Sequence, residues 1–244
     1  MPILETKNLV KRFDGVHAVD GLSIGIEKGR ITGIVGPNGS GKTTLVNLLS
    51  GMLPIDGGAI VVNSSQRITK MQPYQISFYG ITRTFQDARL FEQMTVLDNI
   101  LVVLTERNVL SSLFEKHSKY HMKKAEEVLQ RVGLWEKRNQ LAFNLSYGQR
   151  KLLEISRALA MDTEIYLLDE PFAGLFPEMI KIVSEIVQEL KQKGKTVILI
   201  EHNMNLIREL CDYVFVMDEG KLLAEGEPAE VLEKKEVVEA YLGE

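Results

Sequence analysis

One stretch restricts this chain more than any other. Gly36-Pro37-Asn38-Gly39-Ser40-Gly41-Lys42-Thr43 follows the apolar run Ile31-Thr32-Gly33-Ile34-Val35 and precedes Thr44-Leu45-Val46-Asn47-Leu48-Leu49. Its spacing is G-x-x-x-x-G-K-[ST], and a strand leading in with a helix leading out is the context that pattern requires. Three glycines and a small serine let the backbone curl until its N–H groups point inward at phosphate oxygens. A helix starting near Lys42 adds its positive end. Lys42 can reach β- and γ-phosphates, and the Thr43 hydroxyl, with Thr44 beside it, can serve the phosphates and a Mg²⁺ ion. The stretch predicts a bound nucleoside triphosphate.

The 244 residues give room for one large or two small domains and a substantial core. With 29 basic against 33 acidic residues the net charge is −4, with no block of like charge, which argues against a dedicated nucleic-acid surface. The single cysteine, Cys211, excludes an intrachain disulfide and reads as a small buried residue in a reducing compartment. No apolar run approaches the ~20 residues that span a bilayer. The start, Met1-Pro2-Ile3-Leu4-Glu5-Thr6-Lys7, lacks the basic and apolar parts of a signal peptide. The expected location is the cytosol or the cytosolic face of a membrane.

Apolar or alternating runs predict strands at Leu4–Phe13, Ala18–Ile26, Ile31–Val35 and Ala59–Val62, separated by turn signals such as Asp14-Gly15 and Asp56-Gly57-Gly58. Ile165–Leu168 and Thr196–Ile200 are continuous apolar runs, as in strands buried on both faces. Between them Pro177–Lys193 carries Met179, Ile182, Val183, Ile186, Val187 and Leu190 at helical spacing. Two buried strands joined through a helix imply a parallel sheet. From about Thr95 to Leu141 strand runs are missing and Ala125, Val128, Leu129 and Val132 repeat helically, which predicts an inserted helical subdomain. Within it, Glu115–Lys124 reads as a solvated face, since it lacks the cysteines or i, i+4 histidine pair of a zinc site.

Two further segments carry chemistry. Glu164-Ile165-Tyr166-Leu167-Leu168-Asp169-Glu170 is an apolar strand ending in two carboxylates. Asp169 is placed to hold Mg²⁺, directly or through water. Glu170 is placed to take a proton from an attacking water, a contribution of about 10²–10⁴ in rate. A pair of exposed acids at a strand end is the plainer alternative. Asn144-Leu145-Ser146-Tyr147-Gly148-Gln149 precedes the helical run Arg150–Met161. Ser146 can cap that helix, and Gly148 and Gln149 complete a second surface for phosphate, unless the segment is only a helix start.

At these residues the chain resembles the ATPase subunits of ABC transporters. The family's phosphate loop (36–43), a glutamine after a strand (Gln86 in Arg83-Thr84-Phe85-Gln86), signature (145–149), Asp-Glu strand (164–170) and switch histidine (His202 in Ile200-Glu201-His202-Asn203) are matched in order, over residues 4 to 244. The resemblance implies an α/β phosphate-loop NTPase of the ABC-ATPase fold, with a parallel core sheet, an antiparallel N-terminal β-subdomain and an inserted helical subdomain. Residues 1–94 and 162–244 would form the catalytic core, and 95–161 the helical signature part.

It implies ATP and Mg²⁺ as cofactors, Mg²⁺ lying on Thr43, Gln86 and Asp169, and catalysis by Glu170, His202, Gln86 and Lys42. His202 would contact the γ-phosphate and position Glu170. Phe13 would stack on adenine with Val19 nearby, worth ~1–3 kcal/mol, or else be a core phenylalanine. Expected partners are transmembrane permease subunits, a second ATPase subunit (a copy or a paralogue) that completes each ATP site, and, indirectly, an extracytoplasmic solute-binding protein. One element departs from the family: Phe176 stands where an Asp or Asn is usual, which puts in doubt the usual hydrogen bond across the dimer; Tyr147 replaces a common signature glycine, as similar branches of the family accept.

The segment Gly80–Phe91, then Met94-Thr95-Val96, the signature and the ending Ala240-Tyr241-Leu242-Gly243-Glu244 are similar to branched-chain amino acid importer ATPases of the LivG type. Lipopolysaccharide-export ATPases share the ending and the Asp-Glu-Pro-Phe-Ala-Gly stretch and are the second choice. A soluble ABC ATPase of repair or translation would carry duplicated cassettes, coiled coils or basic extensions. An unrelated phosphate-loop kinase would lack the signature.

Overall fold

A computed structural model describes residues 1–104 and 118–242. Residues 115–117 of the polar stretch and Gly243 and Glu244 of the ending lie outside them. The chain forms two compact units: Met1–Arg83 with Thr163–Glu170 and Ser184–Glu244, and Thr84–Asp162 with Pro171–Val183.

The first unit holds two sheets. In the antiparallel one, β1 (Pro2–Phe13) is flanked by β2 (Val16–Leu22) on one side and β5 (Gly57–Val62) then β6 (Gln66–Ile68) on the other, and β3 (Gly25–Glu27) also pairs with β1. The expected single strand Ala18–Ile26 is therefore two, broken at Ser23-Ile24. The break has a visible cause. The buried Thr6 hydroxyl donates to Leu22 O (2.9 Å) and accepts from Ile24 N (3.0 Å), replacing ladder bonds that the turn removes. Asn8 on the same strand, at φ +47°, receives Ser23 by a 2.8 Å bond from its N–H to Oγ.

The second sheet runs β11 (Lys221–Gly226), β10 (Tyr213–Asp218), β4 (Ile31–Val35), β9 (Thr196–Ile200), β8 (Ile165–Asp169) and β7 (Ile81–Arg83). All its pairs are parallel except β10 with β11. Every residue of β4, β8 and β9 is buried, which is why these segments read as unbroken apolar runs. The chain crosses from β8 to β9 through α5 (Pro177–Gln192), as its 3.6-residue stripe predicts. One core joins both sheets to the apolar face of α1 (Lys42–Leu49), through Leu4, Ile26, Leu45, Leu49, Ile60, Ile198 and Phe215. Two short helices, α6 (Met204–Leu210) and α7 (Pro228–Val231), and α8 (Lys235–Leu242) complete the unit. Cys211 is buried, and burial, helped by Asp212 and Glu201, pushes its thiol up to about 12, so it is inert.

The second unit is helical among its described residues: α2 (Val96–Leu104), α3 (Ser118–Arg131) and α4 (Tyr147–Ala160), with a lone bridge between Thr95 and Leu141. Ala125, Val128, Leu129 and Val132 are buried, as their spacing predicts. Asn99, fully buried in α2, exchanges hydrogen bonds with the N–H and C=O of Phe91 (2.9 and 3.0 Å) and so anchors the segment ahead of the helix.

Thr6→Val keeps the shape of the side chain but orphans Leu22 O and Ile24 N in the core. Each buried group left without a partner costs about 1–3 kcal/mol. Urea unfolding of the variant is expected to show a lowered midpoint at unchanged slope.

Candidate functional site

The loop 36–41 closes under steric compulsion. Gly36 has φ +150°, and a Cβ there would stand 2.1 Å from Met217 O; Gly41 has φ +98°, and its Cβ would stand 2.2 Å from Ala18 O. Gly220 N donates to Ser40 O (3.0 Å), so the turn after β10 holds the loop from behind. Pro37 and Ser40 are buried, whereas Asn38 and Gly39 form the exposed tip. The first turn of α1 contains no acid, and its N-cap Gly41 contributes no side chain. The positive end of the helix dipole is thus not offset by a capping or acidic side chain, which suits an anion. Lys42 lies inside the loop with Nζ donating to Gly36 O and Pro37 O (both 2.7 Å) and 3.3 Å from Ser40 Oγ. Thr43 is exposed and Thr44 half-buried on that turn. An inward-facing ammonium, a helix N-terminus and a hydroxyl fit a phosphate chain.

The other members stand at the ends of β8 and β9. Register pairs Asp169 with Ile200 and Ile34 with Ile200, so the three strands end together. Asp169 Oδ2 accepts from Arg83 Nη2 (2.9 Å), both side chains being buried. Arg83 Nη1 in turn donates to Asn47 Oδ1 (2.8 Å) and Ser50 Oγ (2.7 Å) at the far end of α1. One guanidinium thereby fixes the Asp169 carboxylate to the helix that begins at the phosphate loop.

Glu170 adopts φ +47°, a left-handed conformation costing about 1–3 kcal/mol. Its N–H donates to Ile200 O (3.0 Å), which holds the bend. The bend brings Glu170 Oε1 to 3.0 Å from His202 Nε2. His202 is held in turn by its neighbours. The buried Glu201 accepts from the N–H of His202 (3.1 Å) and Asn203 (3.4 Å), and Asn203 Oδ1 caps α6 through Asn205 N (3.0 Å) and Leu206 N (3.4 Å).

Phe13, at the end of β1, is 43% exposed with Lys11 Nζ 5.3 Å from its ring centre, so it is not a core phenylalanine. Lys11 is itself held by Asp56 at 3.0 Å. Val19 has no exposed surface and belongs to the core, because the β2 pleat turns it inward while Val16 stays exposed.

In the second unit Ser146 caps α4. Its Oγ accepts from Gln149 N (3.4 Å) and Gln149 Oε1 accepts from Ser146 N (3.2 Å), a reciprocal capping box. Ser146 stays exposed, and its hydroxyl proton is not used by the cap. Gly148 is buried, and a Cβ would meet Met179 Sδ at 2.5 Å, so its missing side chain makes room for Met179. Gln86 is exposed between two anchored residues. Phe85 N and Arg89 N donate to Glu154 Oε1 (3.1 and 3.3 Å), Lys151 Nζ donates to Phe85 O (2.9 Å), and Arg157 donates to Arg89 O. Burial pushes the Glu154 carboxyl above its ordinary range, opposed by the Phe85 amide and Lys151, then by the Arg89 amide and Arg157.

Arg83, Glu201 and the trio Lys151, Glu154 and Arg157 are absent from the expected site. A usable signal existed for the trio: charged residues recurring three apart among the apolar positions of α4. Among the described residues, no helix is long and apolar enough to cross a membrane, and no cluster of His, Cys, Asp and Glu could hold a metal ion.

The ABC transporter family model matches residues 19–173. The probable branched-chain amino acid transport ATP-binding protein LivG of Archaeoglobus fulgidus is 38% identical, covering all of this chain and 96% of its own. The protein of the same description from Methanocaldococcus jannaschii is 39% identical, covering all of this chain and 98% of its own. A solved ATP-binding cassette of an ABC transporter in its ADP conformation superposes over the whole of both chains with a TM-score of 0.86 at 39% identity. Loop, strand ends, capped signature and full-length likeness agree: this chain belongs to the ABC transporter family, as a nucleotide-binding ATPase cassette.

Proposed function

We propose that this cassette drives an importer of branched-chain amino acids from the cytoplasmic face of the membrane. It would be docked peripherally on transmembrane permease subunits and paired with a second cassette, while a solute-binding protein outside delivers the solute. The observation that carries the chemistry is the 3.0 Å contact between His202 and Glu170 at the ends of adjacent strands. The solute rests on the full-length likeness to proteins described as branched-chain amino acid transport ATP-binding proteins.

Lys42 and the N–H groups opening α1 neutralise the β- and γ-phosphates of ATP. The Thr43 hydroxyl, the Asp169 carboxylate and the Gln86 amide oxygen are hard donors of the kind Mg²⁺ takes. When bound, the ion would spread the charge that develops on the phosphate oxygens. Glu170 accepts the proton of the attacking water, and His202 keeps that carboxylate aimed and contacts the γ-phosphate. The exposed Phe13 ring stacks on adenine. Ser146, with its cap filled and its hydroxyl proton spare, Gly148 and Gln149 serve the nucleotide held by the partner cassette. ATP then joins the two cassettes and hydrolysis parts them, a shift set by differential affinity for the two states.

Glu170→Gln removes the proton acceptor and keeps the shape. ATP turnover is expected to fall by about 10²–10⁴, with a dimer persisting in ATP on gel filtration; hydrolysis at the normal rate removes Glu170 from the role of base. Phe13→Ala is expected to raise the Kd for ATP about 5- to 150-fold, the equivalent of ~1–3 kcal/mol of stacking. Calorimetry giving an unchanged Kd would take the ring out of the site.

A further inference from the structure

Helix α4 buries charge in a place where apolar side chains would cost less. Lys151 is 1% exposed and Glu154 5% exposed, on a helix whose neighbouring Leu152, Leu153 and Ile155 are core residues. Desolvating an ion of either sign costs several kcal/mol unless good hydrogen bonds replace water. The replacements here converge on one short segment. Glu154 Oε1 takes the N–H of Phe85 (3.1 Å) and of Arg89 (3.3 Å), Lys151 Nζ takes the carbonyl of Phe85 (2.9 Å), and Arg157 takes the carbonyl of Arg89. The Arg89 guanidinium lies 4.0 Å from the centre of the Phe85 ring and closes the segment on itself. The residues bracketing Gln86 are thus gripped through their main-chain groups, while Gln86 itself stays exposed. The same helix begins at the Ser146–Gln149 capping box, one to two turns from Lys151 and Glu154.

We propose that Glu154, assisted by Lys151 and Arg157, is a positioning residue for Gln86, and that the grip makes the 85–89 loop and the signature cap move as one piece. The proposal rests on the reading of Gln86 as a contributor to hydrolysis. Its mechanical content is independent of that reading. A carboxylate accepting two amides four residues apart fixes both peptide planes, so the loop cannot turn without turning α4. A displacement imposed on Gln86 by a docked partner would then arrive at Ser146 undiminished, and a shift of the signature on engaging nucleotide would arrive at Gln86. An apolar residue at 154 would fill the space but leave the Phe85 and Arg89 amides without their acceptor and Lys151 without its opposite charge.

The test uses the full chain with Glu154→Leu, Glu154→Gln and Lys151→Met, alone and with Gln86→Ala. Amide hydrogen exchange is expected to quicken at 85–89 by about tenfold or more in Glu154→Leu, at unchanged exchange in residues 39–45, with Glu154→Gln restoring most of the protection because its amide oxygen still accepts. In Mg-ATP turnover, Glu154→Leu is expected to lower kcat by about 10- to 100-fold with little change in the Kd for ATP. In the Gln86→Ala background the same change is expected to have no further effect on kcat, the non-additivity that an action through Gln86 requires. Unchanged exchange at 85–89 in both Glu154→Leu and Lys151→Met, or losses that simply multiply with Gln86→Ala, would overturn the proposal. Should Glu154→Leu fail to fold, Lys151→Met, which removes the donor to Phe85 O, carries the same comparison, with Glu154→Gln as the control that keeps the grip. A wild-type chain that protects 85–89 but hydrolyses no ATP overturns the functional reading and leaves the grip standing.

Discussion

Three strands that end on one line make everything else at the site possible. β4, β9 and β8 are adjacent and parallel, with Ile34 opposite Ile200 and Ile200 opposite Asp169. Parallel strands all release the chain at the same edge, so residues 36, 170 and 202, widely separated in sequence, emerge within two positions of one another. Ligands of open α/β sheets gather at that edge for this reason. The register is secure because all three strands are buried on both faces, and a slip would have to repack the layers above and below together. Given the alignment, small devices suffice: the left-handed turn at Glu170, the Glu201 acceptor beneath His202, and the absent side chains at Gly36 and Gly41.

Buried charge plays a different part. Arg83 ties Asp169 to Asn47 and Ser50 of the phosphate-loop helix, and the α4 trio ties the residues around Gln86 to the signature helix. Replacing such groups by apolar ones is often neutral for stability, so stability alone does not account for them. What they do that a leucine could not is fix direction. A guanidinium and a carboxylate bond only along their N–H and lone-pair axes, and each is aimed at a residue with chemistry or at the backbone beside one.

Much of the fold could be read directly from residue patterns, and the reasons for the failures differ. The runs at Ile31–Val35, Ile165–Leu168 and Thr196–Ile200 became strands because burial on both faces leaves an apolar signature. Tyr213–Asp218 carries a comparable run and is also a strand, whereas β7, three residues long, is too short to show a period. The break between β2 and β3 depends on Thr6, sixteen residues away from the Leu22 carbonyl it satisfies, and no local pattern announces it. That Val19 is buried while Phe13 is exposed is set by the pleat and pairing of β1 and β2, which a resemblance at single positions does not show. Arg83 escaped notice since its partners stand 36, 33 and 86 residues distant.

The signature tyrosine and the loop that carries Phe176 turn out to be neighbours. Gly174, at φ +69°, would bring a Cβ to 2.8 Å from Tyr147 Cε1, so the signature tyrosine is accommodated by the missing side chain in the loop after Glu170. Two residues on, Phe176 is 71% exposed, and Tyr147 is 50% exposed. Under the two-cassette reading this surface meets the partner. A phenylalanine there offers apolar burial, about 1.5–3 kcal/mol when complete, where an Asp or Asn would offer a directed hydrogen bond. Apolar contact resists separation but tolerates rotation and sliding, since it has no preferred axis. The angular alignment of such a pair would then fall to the groups that do have axes, chiefly Ser146 and the backbone around Gly148 on the phosphates. On that account the nucleotide itself, more than the protein contacts around it, sets how the two cassettes are oriented.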